Sequence, residues 1–277
     1  MVEPSSKNFF SQNKLCRYIG KVVNEWKNPK ISPPVNSGFF SVSFHGGTVA
    51  LSSGDYAIEY KCTDNDSCTI WQANPNSKTC ITLLCSPSGS GKTTLIEELY
   101  DVLKLREKNE SYLSFDFSPN IKPLTSIGIG FIPQHPPMIN HLRVDSLLPK
   151  DSIFLSSFFR NEEVKKLLSL RIGQLSGGMR RRLYTCSALE RLFTRKDNAS
   201  FLLLDETFDG LGIVGFTECV KAFRTCWNEH GSTPLYVLLI THLDPKQISN
   251  NFADRTLTLD VVYESPSRLI VGIEDHT

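Results

Sequence analysis

Three stretches of the chain, residues 80–85, 201–204 and 235–240, are apolar at nearly every position rather than at every second one. A strand with one wet face alternates. A strand that is apolar throughout is buried on both faces, as in a parallel sheet covered by helices. Helical spacing is seen between these runs. A helix is predicted from residue 94 to about 106–109 and another over 214–230, and residues 138–174 show it best at Phe158, Phe159, Val164, Leu167, Leu168 and Leu170. Strands are predicted at 112–117 and 127–132.

Ahead of residue 80 the apolar runs shorten to 39–45, 48–51, 56–61 and 67–73, separated by Gly46 and Gly47, by Ser53, Gly54 and Asp55, and by Asp64, Asn65 and Asp66. Such punctuation predicts a small antiparallel β unit. Residues 1–37 form an extension without an assigned role, closing on a linker that contains Pro33, Pro34, Ser37 and Gly38. The expected fold class is α/β: a mostly parallel core sheet, an N-terminal antiparallel β subdomain, and a short helical subdomain at about 136–176, all within residues 38–277.

Composition narrows the functional classes. The chain has 277 residues, 40% of them hydrophobic, enough for a large core. Its net charge of +1 argues against general attraction to nucleic acid, so no nucleic-acid partner is expected. No apolar run approaches the roughly 18 to 20 residues that cross a bilayer. The eight cysteines show no Cys-x-x-Cys pair, and several sit inside apolar runs; a reduced cytoplasmic compartment is expected. No continuous apolar segment follows the first basic residues, which argues against a secretory signal.

Chemistry enters where the buried runs end. The run at 80–85 leads into Ser86, Pro87, Ser88, Gly89, Ser90, Gly91, Lys92, Thr93 and Thr94, at the start of a predicted helix. Strand, glycine-rich turn and helix make a P-loop, whose inward N–H groups cradle phosphates. Lys92 would reach the β- and γ-phosphates and Thr93 would hold Mg²⁺. Ser86 stands where the pattern expects glycine, a steric cost if that residue needs positive φ. The run at 201–204 ends on Asp205 and Glu206, the first suited to steadying Mg²⁺ and the second to orienting an attacking water. Gln134 follows the strand at 127–132, and His242 follows the run at 235–240. Ser176, Gly177 and Gly178 open another predicted helix, where free N–H groups favour an anion. Arg180, Arg181 and Arg182 then read as a solvated face. Each motif has a plainer reading: a ligand-free turn, a strand capped by solvated acids, a loop glutamine, a structural histidine.

Taken in order, Ser-x-Ser-Gly-Ser-Gly-Lys-Thr, Gln134, Leu-Ser-Gly-Gly-Met, Leu-Leu-Leu-Asp-Glu and Thr-His resemble the nucleotide-binding domain of the ATP-binding cassette (ABC) family over residues 39 to about 260. The resemblance implies an ATPase subunit that works with ATP and Mg²⁺ and carries the catalytic residues Glu206, His242 and Gln134. Thr93, Gln134 and Asp205 would be metal contacts, and the P-loop would hold the phosphates. Ser176, Gly177 and Gly178 would close on ATP held by a second cassette. The family also implies an aromatic residue upstream of the P-loop that stacks on adenine; Tyr60 is the candidate, with Trp71 second. The implied partner is a separate membrane permease, with the chain peripheral on the cytoplasmic face. Alternatives are a soluble non-transport cassette and a weakly active regulatory subunit, the latter motivated by Ser86, by Thr207 in place of a proline, and by Gly212 in place of a loop aspartate.

Overall fold

The computed structural model describes residues 41–50, 56–63, 66–73, 76–105, 113–117, 127–137, 139–195, 197–244 and 253–276. The extension at 1–37 lies outside them. In chain order the elements are β1 (Ser41–Ala50), β2 (Ala57–Cys62), β3 (Cys68–Gln72), β4 (Thr79–Cys85), α1 (Lys92–Leu105), β5 (Leu113–Phe117) and β6 (Ile127–Ile132). There follow α2 (Ile153–Phe158), α3 (Asn161–Ser169), α4 (Gly177–Arg195), β7 (Ala199–Asp205), α5 (Gly212–His230), β8 (Leu235–Thr241), β9 (Arg255–Ser265) and β10 (Arg268–Asp275).

The three apolar runs become β4, β7 and β8, buried at every position. They lie at the centre of one sheet of order β3-β1-β2-β10-β9-β4-β8-β7-β6, with β5 paired to β1. From β9 to β6 every neighbour is parallel. Alternate side chains serve opposite layers. Cys80 and Leu84 pack with Leu95, Ile96 and Leu99 of α1. Ile81 and Leu83 pack with α2, α4 and α5 through Phe154, Leu189 and Phe223. Residues of the helical stretch such as Leu167 and Ile172 belong to that second cluster, so they share one core with the sheet.

Three expectations change. The runs on either side of Gly46 and Gly47 are one ten-residue strand, and the glycines mark a bulge where the register against β5 shifts. Gly46 has φ 101°, and a Cβ there would stand 2.7 Å from the Tyr60 carbonyl oxygen, so only glycine lets β1 and β2 approach. The antiparallel strands are not a separate unit, because β2 pairs in parallel with β10 and so continues into the core sheet. The β9–β10 hairpin that makes this join had no predicted counterpart. Its strands are short of the alternation that marks a half-buried strand, with five successive exposed positions in β9.

Trp71 bridges the β3 region to the core. It is fully buried, its Nε1–H donates to the Val237 carbonyl at 2.9 Å, and its ring packs on Phe201 at 5.3 Å. Trp71→Ala is expected to lower stability by about 3–5 kcal/mol, measured by urea denaturation, through the cavity and the lost hydrogen bond.

Candidate functional site

Parallel register places four chemically equipped loops on one rim. Cys85 of β4 pairs with Thr241 of β8, Asp205 of β7 with Ile240, and Ile132 of β6 with Leu204. Residues 86–94, 134, 206 and 242 therefore leave the sheet side by side at its carboxyl edge, the place where such sheets bind ligands.

The P-loop rises from β4 with Pro87, Ser88 and Gly89 exposed at its crest and Ser86, Ser90 and Lys92 buried below. Among described non-glycine residues only Glu206 has positive φ, so Ser86 carries no such strain. Its hydroxyl donates to the Leu259 carbonyl at 2.7 Å and also contacts the Ser90 hydroxyl. That bond ties the loop to β9. Gly91 has φ 81°, and a Cβ there would meet the Tyr60 hydroxyl at 2.7 Å.

Lys92 is 4% exposed and folds back onto its own loop. Its Nζ donates to the Ser86 carbonyl at 2.9 Å and the Pro87 carbonyl at 2.7 Å, lies 3.0 Å from His242 Nδ1, and lies 3.6 Å from Glu206 Oε1. Burial lowers its pKa, and the Glu206 charge pulls it back up. His242 Nδ1 also lies 3.1 Å from the Ser86 carbonyl oxygen, and its Nε2 lies 2.6 Å from Glu206 Oε1. Gln134 Nε2 donates to the other carboxylate oxygen, Oε2. Glu206 is thus gripped at both oxygens.

Glu206 also sits at φ 48°, a left-handed conformation that costs a side chain of its kind about 1–3 kcal/mol. Its N–H donates to the Ile240 carbonyl at 3.1 Å, and Arg181 Nη1 contacts its carbonyl at 3.4 Å. These bonds hold the turn that aims the carboxylate off the end of β7.

Asp205 is fully buried beneath it. Its Oδ2 accepts from Thr93 Oγ1 at 2.8 Å, while Oδ1 is buried without a hydrogen-bond partner. Burial raises the pKa of this carboxyl, the Thr93 hydrogen bond opposes the rise, and the Glu206 charge adds to it. An orphaned carboxylate oxygen beside a hydroxyl, in a site with more carboxylates than ammonium groups, suits a hard divalent cation. These residues fit Mg²⁺.

Several expected residues lie elsewhere. Ser176 and Gly177 are exposed at the start of α4, where the Ser176 hydroxyl caps the helix by accepting from the Met179 N–H at 3.2 Å. Gly178 abuts Leu211 in the loop after Glu206. Tyr60 is a correction: it is 1% exposed, its hydroxyl donates to the Gly91 carbonyl at 2.7 Å, and its ring packs in the α1 layer, leaving no face for a base. Trp71 is buried likewise. The arginines are not a solvated face either. Arg180, Arg181 and Arg182 are half-buried; Arg182 donates to the Phe158 carbonyl at 3.2 Å and lies 4.9 Å over the Phe159 ring.

Asp209 was not foreseen. Its Oδ2 accepts from the His242 N–H at 2.7 Å, pinning the backbone that carries the imidazole. Its place three residues after Glu206 was the only sequence signal available.

Residues 76–209 match the family model described as ABC transporter. Over those residues, just under half of its length, the chain is similar to the ABC family. The chain is 27% identical over 188 residues to the zinc uptake system ATP-binding protein ZurA of Listeria monocytogenes, covering 60% of this chain and 67% of that protein. It is 26% identical over 167 residues to the zinc import ATP-binding protein ZnuC of Acinetobacter baylyi, covering 58% and 57%. It is 29% identical over 215 residues to the sulfate/thiosulfate import ATP-binding protein CysA of Bacillus cereus, covering 66% and 55%. The chain thus spans about half to two thirds of the length of these relatives. Among solved structures, a bacterial Atm1-family ABC exporter with ATP bound matches with TM-score 0.52 at 15% identity, over 86% of this chain and 39% of that chain. At that identity the likeness shows the fold alone.

The Thr93–Asp205 bond makes a testable point about the ligand-free site. Thr93→Val removes the hydroxyl that donates to Asp205 Oδ2 and is expected to cost about 1–3 kcal/mol of stability in urea denaturation without nucleotide or Mg²⁺, whereas Thr93→Ser costs less.

Proposed function

We propose that this chain binds and hydrolyses ATP and that the cycle powers transport of a substrate across a membrane through a separate permease. The observation that carries the reading is the convergence of Lys92, the Thr93–Asp205 pair and the Glu206–His242–Gln134 cluster on one rim of the parallel sheet.

Without ligand, Lys92 bonds the carbonyls of Ser86 and Pro87. A triphosphate entering the cradle offers stronger, charged acceptors, so Lys92 transfers its bonds to the β- and γ-oxygens and leaves Glu206. Backbone N–H groups of residues 88–94 at the start of α1 meet the same phosphates. Thr93, Asp205 and Gln134 would hold Mg²⁺, which supplies charge neutralisation when bound. Glu206 then holds an attacking water by accepting its proton, and His242 Nε2–H, released from the carboxylate, donates to a γ-phosphate oxygen. Asp209 keeps the histidine backbone in place throughout.

Ser176 and Gly177 are exposed in this chain and Gly178 is half-buried beside them, which supports their acting on a nucleotide held by another cassette. Two cassettes would sandwich two ATP molecules, with hydrolysis separating them. Residues of the helical stretch at about 136–176 and the Gln134 loop would form the permease contact. No helix among the described residues is long and apolar enough to cross a membrane, in keeping with a chain that borrows its membrane partner and lies at the cytoplasmic face. The transport reading draws support from the import proteins named above.

Two variants test the reading. Lys92→Ala is expected to abolish ATP binding in calorimetry; undiminished affinity rejects the phosphate assignment. Glu206→Gln is expected to retain ATP and lose turnover by a factor of order 10² or more. Light scattering on that variant should show Mg-ATP converting monomer to dimer, and a persistent monomer that still binds ATP would require a different second cassette.

A further inference from the structure

Ser86 stands where the P-loop pattern expects glycine, and its side chain makes a bond that glycine has no atom for. β4 pairs with β8 as far as Cys85–Thr241 and with β9 as far as Cys85–Thr258, so Ser86 is the first residue beyond the ladder on both flanks. Toward β8 its backbone carries the ladder one step further, the N–H donating to the Thr241 carbonyl at 3.2 Å. Toward β9 the hydroxyl takes over, donating to the Leu259 carbonyl at 2.7 Å. Glycine would keep the first bond and lose the second.

A second hydroxyl closes the loop above. Ser90 is fully buried; its Oγ donates to the Pro87 carbonyl at 3.0 Å and lies against Ser86 Oγ. The crest of the loop is thereby joined to its base through two hydroxyls in contact, and the base is tied to β9.

These bonds bear on what happens when a phosphate chain enters. The Ser86 and Pro87 carbonyls accept from Lys92 in the ligand-free loop, and in the reading above Lys92 leaves both for the phosphates. Pro87 then keeps the Ser90 hydroxyl. Ser86 keeps its backbone bond to Thr241 and its hydroxyl bond to Leu259. Ser86, Ser90, Thr241 and Leu259 are each no more than 7% exposed, so bulk water cannot stand in for a lost hydroxyl here.

We propose that Ser86 is a positioning residue: its hydroxyl anchors the P-loop to β9, so that the cradle keeps its phosphate-binding shape once Lys92 turns from its own loop to the ligand. This rests on the ATP-binding reading above. A cradle that spends more of its time in the bound shape binds more tightly, in proportion to that population. The hydroxyl is engaged with Leu259 and Ser90 rather than with the ligand, so the gain is equal in the ground and transition states. It therefore belongs to KM and not to kcat.

Calorimetry on the full chain with Mg-ATP and with inorganic tripolyphosphate, together with steady-state ATPase kinetics, tests this. Ser86→Ala removes the hydroxyl and keeps the Cβ, while Ser86→Gly restores the residue of the pattern. Both are expected to weaken both ligands about three- to tenfold and to raise KM for ATP to match, with kcat within about twofold of the wild type. Either folded variant binding tripolyphosphate with wild-type affinity overturns the proposal, even where urea denaturation shows lost stability, because the hydroxyl is then structural only. A fall in kcat at unchanged KM overturns it as well. A wild-type chain that binds neither ligand overturns the ATP-binding reading itself.

Discussion

The parallel register of β4 against β8 is the constraint on which the rest depends. Seven residue pairs run from Thr79–Leu235 to Cys85–Thr241, every position buried. A slip by one residue would turn Ile81 and Leu83 out of the α2–α4–α5 layer and into the α1 layer, exchanging two well-packed surfaces at once. This register lets the Ser86 N–H donate to the Thr241 carbonyl, and the parallel β7–β8 register likewise lets the Glu206 N–H donate to the Ile240 carbonyl. The site is therefore set by the core, and the polar residues inherit their positions from apolar ones.

What those polar residues do without ligand is hold one another in check. Lys92 is buried, which disfavours its charge, and it is kept charged by Glu206 and by two carbonyls of its own loop. Glu206 is strained at φ 48° and is secured by His242, Gln134 and its backbone bonds. Each group fills a need that the next could not leave empty in so dry a place. The Lys92 bonds to the Ser86 and Pro87 carbonyls are made within the loop, so breaking them would not disturb the sheet.

The buried runs, the P-loop and the acidic end of β7 were readable from sequence because continuous apolar stretches and glycine-rich turns leave few alternatives. The remainder depended on facts that periodicity does not carry. Gly46 and Gly47 look like a turn, yet they admit the Tyr60 carbonyl at a bulge, since a close backbone approach and a turn demand the same residue. The arginine run looks solvated, yet Arg181 and Arg182 find backbone carbonyls from distant segments. The β9–β10 hairpin carries too many exposed residues in a row for alternation to reveal it. Asp209 gives no pattern at all; its role comes from the meeting of two loops whose strands are neighbours only in space.

Tyr60 shows how such a misassignment arises and what it implies. Spacing upstream of the P-loop says that an aromatic residue is near the loop, and so it is, through its hydroxyl bond to the Gly91 carbonyl. Spacing does not say which face the ring takes. On β2 the alternation puts Ile58 and Tyr60 together in the α1 layer, where burial raises the phenol pKa and the ring serves as a floor beneath the loop. Moving the ring to the outer face would need a one-residue shift against β10 and would expose Ile58 as well.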